Sequence, residues 1–165
     1  MAVKPEYRLA TLFKLRERKK EETEQALAKC VKALKVETDR LAEMEAELER
    51  MIAKRKAKVR EYAEKTMRGE MSAQDAVSAN LYIDRLKELE DNQKNAIESQ
   101  KGVVAQKEEA VRAARAELVK ATQDLKALEK HKEKWLEQLK KEDEAKQEEI
   151  MDELAQRIFL DHEKD

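Results

Sequence analysis

The sequence predicts an all-α protein, two long antiparallel helices forming a coiled-coil hairpin in which the second helix overhangs the first. Three observations carry this. Of 165 residues, 44% are charged and only 4% aromatic, with two Gly and one Pro, the composition of long helix or coiled coil. Leucines recur every seven residues in one stretch and a mainly valine and leucine series does so in a second, the mark of a heptad seam. One glycine-containing break, Met67 to Ser72, separates those stretches. Strand formers are sparse and never alternate in runs, which argues against a sheet. So few large apolar side chains cannot enclose a globular core, so the apolar surface forms a thin seam. Because the apolar residues keep a period, the high charge does not read as disorder.

The first helix is expected over about residues 5–67. Pro5 suits a first helical turn, and Leu9, Leu12, Phe13 and Leu15 give a short apolar face before the polar stretch Arg16 to Gln25. Leu27, Leu34, Leu41 and Leu48 then follow at sevens, continued by Arg55 and Tyr62, and Val31, Ile52 and Val59 fall on the interleaved line. Thr38 and Glu45 weaken that line, with Met44 and Met51 beside it able to fill gaps. The turn is expected at about 68–72, where Gly69 can take φ > 0 as a helix C-cap. Ser72-Ala73-Gln74-Asp75 resembles a capping box with Asp at its acidic position.

The second helix is expected over about 73–160. Tyr82, Leu86, Leu89, Gln93 and Ile97 mark its first stripe. Val104, Val111, Leu118, Leu125, Lys132 and Leu139 continue in sevens, with Ala114, Ala121, Leu128 and Trp135 between them. Steps of four from Leu89 to Gln93 to Ile97 read as a stutter that locally unwinds the supercoil. Helices joined by so short a connection fold back antiparallel. A turn near residue 70 brings Tyr7 and Leu9 opposite Trp135 and leaves about 25 residues of the second helix unpaired, on the order of 35 Å.

Catalysis is not expected: a two-helix hairpin offers no dry concave pocket in which to tune a pKa, and phosphate-loop, GxSxG and HExxH patterns are absent. No cofactor or metal is expected, because the single Cys30 with His131 and His162 cannot supply a preformed site. Cys30 reads as a small residue beside the seam. A formal net charge of −1 provides no global basic field for nucleic acid or anionic lipid. Arg16 to Lys20 ahead of four spaced leucines looks like a basic leucine zipper. However, Ala10 stands where the base-reading asparagine belongs, and Glu21, Glu22 and Glu24 follow at once. No stretch approaches the ~20 apolar residues of a membrane span, and Met1 to Tyr7 lacks a signal-peptide core, so a cytoplasmic start is expected without direct membrane insertion.

Two patches remain as binding candidates. Tyr82, Ile83, Leu86 and Leu89 carry more apolar bulk than one two-stranded seam covers. On the overhang, Ile150, Met151, Leu154, Ile158 and Phe159 form an amphipathic stripe among Glu142, Asp143, Glu144, Glu148, Glu149, Asp152 and Glu153, the pattern of a helix that lies in a groove.

Met151-Asp152-Glu153-Leu154-Ala155-Gln156-Arg157 is similar to the C-terminal pattern of the stalk proteins of type III secretion ATPases, the flagellar FliJ and injectisome YscO family. Tyr7-Arg8-Leu9-Ala10-Thr11-Leu12 resembles that family's N-terminus, and Tyr82-Ile83-Asp84-Arg85-Leu86 the start of its second helix. His131 to Trp135, followed by an acidic run, is closer to the injectisome branch. The resemblance implies a central stalk that inserts into the hexameric secretion ATPase and couples it to the membrane export-gate protein on the cytoplasmic face of the apparatus. It also implies a role in escorting secretion chaperones. By carry-over, Leu9, Leu12, Ile150, Leu154, Arg157 and Ile158 become candidate ATPase contacts, and Tyr82, Leu86, Leu89 and Gln93 candidate export-gate contacts. The alternatives are a tethering coiled coil that dimerises in parallel through Leu27 to Leu48, or a rotor or stator subunit of another rotary ATPase. The hairpin predicts a monomer instead.

Overall fold

A computed structural model, which describes residues 5–164, contains two helices, α1 (Ala10–Met67) and α2 (Ala73–Glu163). They pair antiparallel: Glu37 meets Gln100, Met44 meets Gln93, and Arg55 meets Glu90. Among the described residues, no helix is long and apolar enough to cross a membrane. The chain divides into a turn unit, Gln25–Arg115, and a terminal unit made of Met1–Glu24 with Ala116–Asp165.

In the turn unit, α1 ends because Gly69 takes φ 70°, a left-handed conformation that costs a glycine nothing. Gly69 N–H donates to the Thr66 carbonyl at 3.1 Å and Glu70 N–H to the Lys65 carbonyl at 3.0 Å, the paired bonds of a Schellman cap. α2 then starts on a reciprocal capping box. Asp75 N–H donates to Ser72 Oγ and Ser72 N–H donates to Asp75 Oδ2, both at 3.1 Å. The Ser72 N–H foremost, and then the Ser72 side chain, hold the Asp75 carboxyl below its ordinary 3.8.

The seam keeps a strict alternation of three- and four-residue steps, and this corrects two expectations. On α1 the interleaved line runs through Cys30, Glu37, Met44 and Met51, all half-buried. Val31 is 44% exposed and Val59 also faces out, so the line lies one residue before the one that apolar spacing suggested. On α2 the seam passes through Leu86, Glu90, Gln93, Ile97 and Gln100. The apparent stutter came from assigning Leu89 to a place that a glutamate occupies. Glu90 is only 3% exposed and accepts from Arg55 Nε at 2.7 Å. The Gln93 amide donates to the Met44 carbonyl at 3.0 Å, and the Gln100 amide donates to both the backbone carbonyl and the carboxylate of Glu37. Among the described residues, no buried side-chain nitrogen or oxygen lacks a partner.

In the terminal unit, α1 begins at Ala10 and not near residue 5, because Tyr7 is committed to packing. Its ring lies 5.0 Å from that of Trp135 and 5.8 Å from that of His131, and its hydroxyl shares a 2.6 Å hydrogen bond with His131 Nδ1. The Tyr7 carbonyl accepts the Ala10 N–H at 3.0 Å, and the chain enters the helix from there. Lys132, a charged member of the seven-residue series, sits with Nζ 4.9 Å from the Phe13 ring centroid, a cation–π contact that suits the position. Arg16 donates to the Asp124 carbonyl at 2.9 Å, and Ala121, Leu125 and Leu128 are buried.

Candidate partner-binding surfaces

Every described residue from Lys140 to Lys164 is exposed. Leu139 is the last half-buried position on α2, so the helix continues without a partner among the described residues for about 36 Å at ~1.5 Å per residue. Were the seam to continue in sevens, it would meet Glu142, Lys146, Glu149 and Glu153, and an apolar partner strand has nothing to pack on there. The apolar side chains sit on another line: Ile150, Leu154 and Ile158 are stacked at four-residue steps beside Met151, with Arg157 exposed at the edge. All four apolar residues, and Phe159, are more than 45% exposed. Leu160, which was not part of the expected stripe, is also exposed and lines a shallow depression with Ala155, Gln156 and Phe159.

Leu9 is half-buried and Leu12 is exposed at the start of α1. Tyr7 packs on Trp135, and Leu154 lies about 28 Å further along α2 at ~1.5 Å per residue. The N-terminal leucines and the tail stripe are therefore two separate surfaces of the terminal unit, not one patch.

The candidates early in α2 divide between seam and surface. Leu86, 8% exposed, belongs to the hydrophobic core, and Gln93 spends its amide on Met44. Tyr82 and Ile83 are half-buried, and Leu89 is 36% exposed. Of the expected group, Tyr82 and Leu89 can meet a partner, while Leu86 is the floor beneath them. That floor belongs to a groove of about 300 Å³ lined by Glu47, Arg50, Met51, Lys54, Leu86 and Leu89. Apolar spacing gave no sign of its α1 bank. The available signal was charge: Arg50 to Arg60 holds six cations and no acid. Glu43 and Glu47 both bond the Arg50 guanidinium, at 2.8 and 2.7 Å, and raise its pKa further. Lys58 donates to Glu61 at 3.1 Å, which raises the ammonium's pKa and, with Lys65, lowers that of the Glu61 carboxyl. Sequence reasoning also missed Val77 and Leu81, which face solvent on the opposite side of α2, and Met67, 90% exposed at the turn.

Set beside known proteins, the chain matches the family described as YscO-like protein over residues 4–165. It belongs to the YscO-like family. A solved structure of a proposed YscO homolog, CT670 from Chlamydia trachomatis, superposes with a TM-score of 0.83 at 21% identity, covering 98% of this chain and 99% of that one. No curated protein matches the chain. The YscO-like assignment agrees with the two-helix fold and supports a role related to the stalk of type III secretion.

Proposed function

We propose that this YscO-like hairpin is the central stalk component of a type III secretion system, bound to the hexameric secretion ATPase at one end and to the export-gate membrane protein through the early part of α2. The observation that carries the reading is the tail. A helix that keeps an apolar stripe of Ile150, Leu154 and Ile158 fully in water, beyond the last seam residue, has a surface suited to a groove on another protein. Arg157 at the stripe's edge adds a charged contact, and Leu12 supplies a smaller apolar surface near the N-terminus. Tyr82 and Leu89 are the export-gate contacts, held in place by Leu86 below and by Gln93, whose bond to Met44 fixes the local register.

The stalk works without catalysis, on the cytoplasmic face of the apparatus. A single asymmetric hairpin inside a symmetric ring makes the ring's interfaces unequal, so ATP turnover at one interface biases the next while the distal end engages the gate. The many exposed ion pairs along its sides are weak individually, which suits a part that must hold several positions within a pore. Escorting chaperones is the third role, with no residue assigned to it. A parallel tethering dimer is the poorer reading, because the Leu27 to Leu48 seam is already used by α2.

Co-precipitation with the two purified partners tests this. Leu154→Asp with Ile158→Asp should abolish ATPase capture and leave export-gate capture intact, and Tyr82→Ala with Leu89→Asp should do the reverse. Loss of neither interaction in either variant would refute the assignment.

A further inference from the structure

The groove on the turn unit and the tail of α2 carry matching patterns that neither helix needs for its own packing. On α1, Arg50, Lys54 and Lys58 stand at four-residue steps along one ridge, and neighbouring Met51, Leu86 and Leu89 give the groove an apolar floor. Lys54 lines that groove and makes no ion pair among the described residues. Among the described residues Arg50 pairs with Glu43 and Glu47 on an exposed helix face, and half-buried Lys58 pairs with Glu61 of the same helix; such solvated pairs exchange at little cost. On the tail, Glu144, Glu148 and Asp152 also stand at four-residue steps, directly beside the stripe of Met151, Leu154 and Ile158. Both ridges rise about 6 Å per step on an α-helix, so three acids can meet three cations in one alignment while the tail stripe enters the apolar floor. The net balance agrees: residues 142–153 hold seven acids and one lysine, whereas 50–60 hold six cations and no acid.

We propose that the acidic tail of one copy docks on the basic flank of the turn unit of a second copy, with Glu144, Glu148 and Asp152 on Arg50, Lys54 and Lys58 and with Met151 and Leu154 against Met51 and Leu89. The association is weak and salt-sensitive, since its charged part is exposed and screened over about 10 Å at ordinary ionic strength. The docking stands independently of the function proposed above. Joined to that function it gives a reserve state, because the tail stripe and Leu89 are covered together and are released when the ATPase competes for the tail.

Sedimentation equilibrium of the full chain tests the docking. At ~20 mM salt the mean mass should rise above the monomer with concentration, and at ~500 mM salt it should return to the monomer. Lys54→Glu or Glu148→Lys alone should weaken association about tenfold. The double variant carrying both should recover it, with helicity unchanged throughout. In an equal mixture of light and nitrogen-15 chains, zero-length cross-links between Lys54 and Glu148 should join light to heavy peptides. A chain that is monomeric at every concentration and low salt overturns the proposal. So does association untouched by Lys54→Glu, or a Lys54–Glu148 cross-link confined to one isotope.

Discussion

The residues that matter most to this hairpin's stability are polar ones in an otherwise thin seam. Glu90 is nearly inaccessible and depends on Arg55 for its one strong partner. Arg55→Leu leaves that carboxylate unpaired and should destabilise the protein by about 3 kcal/mol, whereas Arg55→Leu with Glu90→Leu should be neutral or stabilising by ~1–4 kcal/mol. Urea unfolding of the two variants separates these outcomes. At the turn, Gly69→Ala forces a Cβ into left-handed backbone and should cost about 1–2 kcal/mol, and Ser72→Ala should cost about 1 kcal/mol through the lost cap. The Asp75 and Glu61 carboxyls are both held below their ordinary values, by Ser72 and by Lys58 respectively. A carboxyl with a depressed folded pKa adds stability above its unfolded pKa and loses it as pH falls through the folded one. Thermal stability should therefore be level near neutrality and decline below about pH 4, and Asp75→Asn should flatten that decline.

At the scale of the helices, the leucine spacing made the fold legible. Leu27 to Leu48 and Leu118 to Leu139 named the two strands of the hairpin, Gly69 and Ser72 named the turn, and Tyr7 was expected at Trp135, where it lies 5.0 Å from the indole. The partner line of the seam was not legible, because hydrophobic pattern finds a seam only where hydrophobes occupy it. Glu37, Glu90 and Gln100 fill seam positions with hydrogen-bonded side chains, so Val31 and Leu89 attracted the register by one residue. The same limit explains the candidate surfaces: with Glu90 not seen as a core neighbour, the spacing did not separate the buried Leu86 from the more exposed Leu89, and the Arg50 and Lys54 bank of the groove carries no apolar signal. The tail was legible because no described residue packs on it. Leu154→Asp with Ile158→Asp should therefore leave far-UV circular dichroism and the melting temperature within error of the unmodified chain, in contrast to Leu125→Asp, which places a charge in the buried seam and should lower stability by several kcal/mol.

For the molecule as a whole, a formal net charge of −1 conceals strong segregation, with cations at Arg50 to Arg60 and acids at Glu142 to Glu153. Partners that read local charge are favoured by such a chain over those that respond to a global field. Under the proposed function, stimulation of the ATPase should weaken as salt rises, and salt-insensitive stimulation would argue for a purely apolar interface. The exposed tail stripe is the surface proposed above to engage the secretion ATPase. The most direct test of that contact is hydrolysis by the cognate hexamer with the unmodified chain and with the Leu154→Asp, Ile158→Asp variant at equal helicity. Stimulation by the former and none by the latter is expected; equal stimulation by both, or none by either, would rule the tail contact out.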